Sequence, residues 1–407
     1  MMDRADLGSA SWWSGVAARG TPLLRVAEGE DGAMAAVTFL WREPAAAQTQ
    51  DVYIDVYSHT PHPSNGPAAM RRHPGTDVWS WETTLPWDWR GSYFLLPVAA
   101  GQQPPQEGGG AALRRWWVGL LETNAQADPL NPGPAHGGNW GQPLSPLVLP
   151  DAAVHRAWDR AGGALPQGRL ARHRWQSAAL DIGRETWIYR TAPHTACEAP
   201  LVLLLDGQYW AQQMPLFGAL DVLTAQGELP PAVYLLVDAV SPGRRALELP
   251  CHAPFWEALL EELLPAAHAL EPFSAQPGRT VVAGQSFGGL AAAYAALHWP
   301  ARFGNVLSQS GSFWWPDPSD TASGGWLAGS VAQGPALGQP LRFLLEIGCY
   351  EDEMLGPNRS FHQALCAAGH RSFLREVRGG HDWLCWRDGL LEGLCELMKD
   401  FDETEQP

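Results

Sequence analysis

"RTVVAGQSFGGLAAAYAALHW" spans Arg279–Trp299. An apolar, β-branched start leads into Gly284-Gln285-Ser286-Phe287-Gly288, and a run of small helix-forming residues follows. A strand that turns sharply into a helix at a serine matches a nucleophile elbow, in which the serine Oγ stands exposed above a sheet. A Cβ at Gly284 or Gly288 is expected to clash with closely passing backbone. Gly289 and the run Leu290–Ala296 let the helix pack near its strand. The Phe287 N–H, at the helix start, is a candidate oxyanion donor. The bland alternative is a glycine-rich turn with a serine cap, and the pentapeptide needs its context to count.

That context extends on both sides. Apolar strands alternate with helical stretches in "PLVLLLDG", "AVYLLVDA", "RTVVAG", "RFLLEIGC" and "RSFLREVRGG". Such a series predicts a mostly parallel sheet covered on both faces, and with the elbow it predicts an α/β-hydrolase. A hairpin turning at Ile182-Gly183 precedes it, in "WQSAALDIGRETWIYRT". A nucleophilic serine needs a base, and the base needs an orienting acid, in the chain order Ser, Asp/Glu, His. His298 and His362 fall in helical patterns and His370 in a turn. His381 follows a strand ending in two glycines and precedes the last helix, which makes it the candidate base. The acid is expected after "LRFLLEIG", where Glu351, Asp352 and Glu353 crowd together; Glu351 is preferred and Asp352 is the alternative. Gly207 or Gln208, in the loop after "LLLD", is the candidate second oxyanion donor.

The first part of the chain has another texture. "AAVTFLWRE", "QDVYIDVYS", "DVWSWETTLP" and "GSYFLLPV" predict short strands broken by Pro, Gly and Asn, hence an all-β sandwich. Residues 1–150 are expected to form this immunoglobulin-like (E-set-like) domain, 151–175 a linker, and 176–407 the hydrolase. Trp79 and Trp81 share one strand face; core packing is the plain reading, and a lid over the hydrolase pocket or a carbohydrate platform are the alternatives.

Composition narrows the function. A net charge of −16 disfavours nucleic acid and anionic membranes as partners. No apolar run approaches the roughly 18 residues of a membrane span, and the N-terminus predicts no secretion signal. Cys197, Cys251, Cys349, Cys366, Cys385 and Cys395 lack CxxC spacing, which argues against a zinc site or a disulfide framework and for a reducing cytoplasm. No catalytic metal or cofactor is expected.

The chain resembles the enterochelin (ferric enterobactin) esterase family. The resemblance is carried, in order, by "LLLDGQYWAQQMP", "LPPAVYLLVDA", "RRALELPCHAPFW", "RTVVAGQSFGGLAAAYAALHWPARFGNVLSQSGSFWWP" and "GGHDWLCWRDGL", and more loosely by "GTDVWSWETTLP" and "DPLNP". It covers most of Leu201–Leu390 and implies hydrolysis of a trilactone of 2,3-dihydroxybenzoylserine carried as its iron complex. It implies Ser286 as nucleophile, His381 as base and Glu351, three residues after Gly348, as acid. The iron would arrive with the substrate.

A ferric catecholate is a multiply charged anion, so an acidic protein must concentrate cations at its site. Arg244 and Arg245, after "AVYLLVDA", are the candidates, Arg245 by family position; Arg359 is a weaker one. Of 21 tryptophans, Trp210, Trp314, Trp315 and Trp383 adjoin the motifs and are candidates for stacking on catechol rings. Two other readings stay open: a feruloyl or other phenolic esterase on the same machinery, and a glycan- or siderophore-binding protein built on a decayed hydrolase.

Overall fold

A computed structural model describes residues 6–27, 34–45, 48–138, 141–161, 168–192, 199–320, 322–334 and 339–401. Cys197 lies outside them. The chain divides into two compact units, Met1–Ala153 with Arg378–Leu384, and Val154–Val377 with Cys385–Pro407.

In the first unit the strands are β1 (Leu23–Ala27), β2 (Met34–Arg42), β3 (Thr49–Val56), β4 (Ala68–Ala69), β5 (Arg71–Arg72), β6 (Val78–Pro86), β7 (Arg90–Ala99), β8 (His136–Gly137) and β9 (Pro143–Val148). They form two antiparallel sheets, ordered β1-β2-β6-β5 and β4-β3-β7-β9-β8. Alternation along β2 buries Ala35, Val37, Phe39 and Trp41, and Phe39 meets Tyr93 of β7 edge-on at 4.8 Å, closing the sandwich. Trp79 and Trp81 join this packing, against Trp41 and Phe39 respectively. Two helices were not foreseen. Helix α1 (Ala10–Arg19) lays Trp12, Trp13 and Val16 on Leu40 and Val78. Helix α2 (Gly109–Asn124) lays Trp117 and Leu121 on Phe94, Leu96 and Val98. Strand β7 is therefore buried on both faces, which explains its unbroken apolar run "YFLLPV".

The second unit is built on one eight-stranded sheet, from β10 (Arg169–Ser177), β11 (Ile182–Arg190), β12 (Leu201–Leu204), β13 (Val233–Val237), β14 (Thr280–Gln285), β15 (Asn305–Gln309), β16 (Arg342–Gly348) and β17 (Arg371–Val377). The order is β10-β11-β13-β12-β14-β15-β16-β17. From β13 to β17 every pairing is parallel; β10 and β11 add an antiparallel hairpin at one edge. The helices are α3 (Arg156–Ala161), α4 (Phe217–Ala225), α5 (Pro242–Glu248), α6 (Ala253–Ala258), α7 (Leu264–Leu270), α8 (Phe287–His298), α9 (Gly325–Gln333) and α10 (Asp352–Ala367). The last helix, α11 (Trp383–Met398), begins at the end of the segment grouped with the first unit.

Two boundaries differ from the sequence reading. Residues 151–175, expected as a linker, hold α3 and most of β10, so the sheet begins at Arg169 rather than after 176. Strand β10 reads "RLARHRWQS", a charged edge strand whose arginines keep the edge from pairing further, and so lacks an apolar signature. The hairpin turns at 178–181, with Asp181 at φ 49°, rather than at Ile182-Gly183. Among the described residues no helix is long and apolar enough to cross a membrane.

Candidate active site

Strand order locates the site before any side chain does. The chain leaves β12 toward β13 on one side, and β14 lies on β12's other side. Connections departing in opposite directions leave a crevice at the carboxyl ends of β12 and β14, where ligands bind in open α/β sheets. The β12 loop ends in Asp206-Gly207-Gln208, and β14 ends in Gln285-Ser286.

Ser286 adopts φ 57°, ψ −121°, a backbone conformation that few L-residues occupy. Three bonds hold it there. Its N–H donates to the Gln309 carbonyl at 2.9 Å, its own carbonyl accepts from the Ser312 N–H at 3.1 Å, and the Leu290 N–H donates back to it at 3.1 Å in the first turn of α8. Its Oγ lies 3.3 Å from the Ser312 Oγ. Gly284 is required by space, because a Cβ there would stand 2.5 Å from the Gly288 backbone. Gly288 is less constrained than expected: its Cβ would meet the Asp206 carboxylate at 3.3 Å. Gly289 is tighter, with the Ser308 Oγ at 2.5 Å. Buried from Gly288 to Ala296, α8 lies directly against the sheet.

Phe287 is the first residue of α8, as expected for an oxyanion donor. Gly207 and Gln208 open the helical turn after β12, following Asp206 at φ 53°. A Cβ on Gly207 would stand 2.4 Å from the Val237 nitrogen, so only glycine fits. The Gln208 side chain accepts from the Ala239 N–H at 3.0 Å and ties this turn to the end of β13.

Glu351 is buried, whereas Asp352 and Glu353 point outward in the first turn of α10. Its Oε1 accepts from the Gly348 N–H at 3.0 Å and from the Ser310 hydroxyl at 2.6 Å. Ser310 in turn accepts from the Trp386 indole N–H at 2.8 Å. Sequence reasoning missed Ser310 and Ser312. Both stand in "SQSGSFWWP", whose serines alternate with Gln and Gly across the end of an unrecognised strand, β15. Beneath Ser286 runs a buried polar line: Trp210 donates to Gln285 at 3.2 Å, Gln285 to Gln309 at 2.9 Å, and Gln309 to Glu346 at 2.7 Å.

The other histidines after Ser286 are placed elsewhere. His298 Nδ1 bonds the Tyr294 carbonyl, His362 bonds Ser372, and His370 accepts from the Leu341 N–H. His381 lies in Arg378–Leu384, within the first unit, with its backbone N–H on Ser58 Oγ at 2.8 Å.

The candidate substrate-binding residues fare differently. Trp210 is fully buried and hydrogen-bonded to Gln285, so it cannot stack on a ligand; its indole belongs to the polar line. Trp383, 3% exposed at the start of α11, is likewise packed. Trp314 is half-buried, 5.6 Å from the Phe287 ring, and donates to Met354 Sδ. Arg245 faces protein rather than solvent. Its Nε and Nη2 form a bidentate pair with Asp206 at 2.7 and 2.8 Å, and Nη2 also donates to the Gln285 carbonyl at 3.0 Å. It thereby staples the β12 loop to the residue before the nucleophile. Arg244 lies 3.6 Å from Glu248, which is itself paired with the buried Arg184. Arg359 is paired with Glu376. Among the described residues no group of acids, histidines and cysteines has metal-site geometry.

Residues 36–158 match the family model described as "Enterochelin esterase, N-terminal", and residues 181–397 match "Putative esterase". An iron(III) enterobactin esterase of Dickeya dadantii (strain 3937) is 44% identical over 424 residues, covering 99% of this chain and 96% of the relative. A crystal structure of the ferric enterobactin esterase from Salmonella typhimurium, 41% identical, superposes with a TM-score of 0.85 and covers 97% of this chain and 100% of the other. The enterobactin esterase of Shigella flexneri, crystallised in the presence of enterobactin, gives 0.84 at 40% identity, with 97% and 99% covered.

Proposed function

This chain belongs to the enterochelin esterase family, and from that premise we propose that it hydrolyses the ester bonds of a ferric catecholate trilactone of the enterobactin type, through Ser286, His381 and Glu351. The observation that carries the proposal is near-full-length kinship to enzymes of that name, joined to a serine held in an elbow at the sheet's switch point.

In the proposed reaction His381 takes the Ser286 proton as Oγ attacks a lactone carbonyl. Glu351 holds the imidazole and stabilises its charged form. Its burial, and the two donors that fix its Oε1, favour it over the exposed Asp352 for this role. The tetrahedral oxyanion is met by the Phe287 N–H and by an N–H from Gly207 or Gln208, each worth about 3–4 kcal/mol when well placed. The imidazolium then protonates the departing serine hydroxyl, and water repeats the cycle on the acyl-enzyme. No step asks for a resident metal; iron enters as part of the substrate. Among the described residues Cys251, Cys349, Cys366 and Cys395 are free thiols, which supports a reducing, cytoplasmic setting.

The test is chromatography of products after incubation with the ferric and the iron-free trilactone. Wild type should release 2,3-dihydroxybenzoylserine and its linear oligomers. Ser286→Ala and His381→Ala should each lose several orders of magnitude in kcat while still binding substrate. Intact trilactone after prolonged incubation with wild type, alongside rapid cleavage of a neutral feruloyl ester, would overturn the substrate assignment.

A further inference from the structure

The segment that carries His381 is part of the β-sandwich unit, and the way it is held there assigns that unit a task. The grip begins at the base itself, whose backbone N–H donates to Ser58 Oγ at 2.8 Å. Ser58 sits in the turn after β3 at φ 58°. Gly380 passes so close over it that a Cβ would lie 2.2 Å from the Ser58 Cβ. One residue on, the Asp382 carboxylate is 1% exposed. It accepts from the Ser92 hydroxyl at 2.9 Å and from the Ser92 N–H, both on β7, and from the Leu384 N–H at 2.8 Å. Because Ser92 gives its only hydroxyl proton to Asp382, it accepts from His136 Nε2, 3.0 Å away. A buried carboxylate is costly unless donors surround it, and a fully satisfied one fixes its surroundings rigidly. The backbone of the base and the residue after it are thus clamped to two places in the sandwich.

We infer that Ser58 and Asp382, with Ser92 beneath it, are positioning residues for the proposed base, and that the sandwich unit contributes to turnover by seating His381. A general base must sit within hydrogen-bond reach of the proton it abstracts. A misplacement of about 1 Å by a distant change can cost about a hundredfold. The inference rests on His381 being the base.

The experiment uses the full chain. Ser58→Gly removes the acceptor of the His381 N–H while suiting the left-handed backbone, and Ser92→Ala removes the hydroxyl clamp on Asp382. Each is made alone and combined with His381→Ala, and kcat, KM and the melting temperature are recorded. We expect kcat to fall roughly ten- to a hundredfold in each single variant, with KM within about twofold. In the His381→Ala background the same changes should cost no further activity, since the group they position is gone. A purely structural role would lower the residual rate by the same factor in both backgrounds, and that result overturns the inference. Wild-type kcat in both single variants, with His381→Ala inactive, overturns the seating while leaving the base assignment intact. Near wild-type activity in His381→Ala removes the base assignment and the inference with it. Should Ser92→Ala fail to fold, Ser58→Gly, in a half-buried turn, carries the same comparison.

Discussion

Ser286 occupies a conformation that costs of order 1–3 kcal/mol for a residue bearing a Cβ. The surrounding contacts over-determine it: bonds to Gln309, Ser312 and Leu290 on one side, and the missing side chain of Gly284 on the other. Strain kept at a reacting atom is stability given up for geometry, which suggests a measurement separating the hydroxyl from the backbone. Ser286→Ala loses the nucleophile and keeps the strain; Ser286→Gly loses both. Both variants should be inactive, with the glycine variant more stable by about 1 kcal/mol, or about 2–4 °C in melting temperature. An alanine variant at least as stable as the glycine one would mean that the unusual φ carries no strain. This serine was legible in the sequence because so few side-chain patterns suit such a bend. Ser310 and Ser312 were not. A serine whose work is to bond another side chain leaves no periodicity or spacing to read, and Ser310 shows its place only once Glu351 and Trp386 are seen on either side of it.

At the scale of elements, the parallel strands β12, β13, β14 and β16 were legible because burial on both faces makes continuous apolar runs. Strand β15 escaped because its second half, Ser308-Gln309, is polar. Those groups are nevertheless buried, and Gln309 is satisfied by Gln285, Glu346 and the Trp386 carbonyl. Helix α2 escaped because "GGAALRRWWVGLLETN" follows a Gly/Pro stretch and pairs its tryptophans with arginines. The largest revision concerns the loop after β13. Sequence suggested that Arg245 meets an anionic ligand; structure gives it Asp206 and the Gln285 carbonyl. Arg245→Lys, which loses the planar fork, should therefore lower kcat about ten- to a hundredfold by loosening the β12 loop against the elbow. The loss should be equal for the ferric and iron-free trilactone. Arg245→Ala should also be strongly destabilised, because the Asp206 carboxylate, 1% exposed, is left unpaired. A loss confined to the ferric substrate would restore the ligand-binding role.

At the scale of the molecule, the sequence separated a β-rich first part from an α/β remainder. It did not assign Arg378–Leu384 to the first part, because a seven-residue return across more than two hundred positions leaves no local trace. Its consequence is electrostatic as well as geometric: it brings Asp382 near Asp55 of β3, inside a chain already carrying −16. Burial pushes the Asp55 carboxyl up from 3.8 to about 6, the Thr60 hydroxyl opposes the rise, and the Asp382 charge adds to it. A carboxyl whose folded pKa lies above its unfolded value binds its proton more tightly when folded. Its favourable contribution is full below about pH 3.8 and is lost as pH rises through about 6. Asp55→Asn keeps the acceptor for Thr60 and removes the titration. The variant's stability relative to wild type should therefore rise between pH 4 and 7 and level off above. The full pKa gap would correspond to roughly 3 kcal/mol, and because Asp55 keeps some contact with solvent, a gain of about 1–2 kcal/mol is expected. Thermal melts of both proteins across that range, followed by the tryptophan fluorescence of the sandwich, measure the difference directly. A constant offset between the two, with no slope through pH 6, would place the Asp55 pKa back in the ordinary carboxylate range and remove the coupling to Asp382.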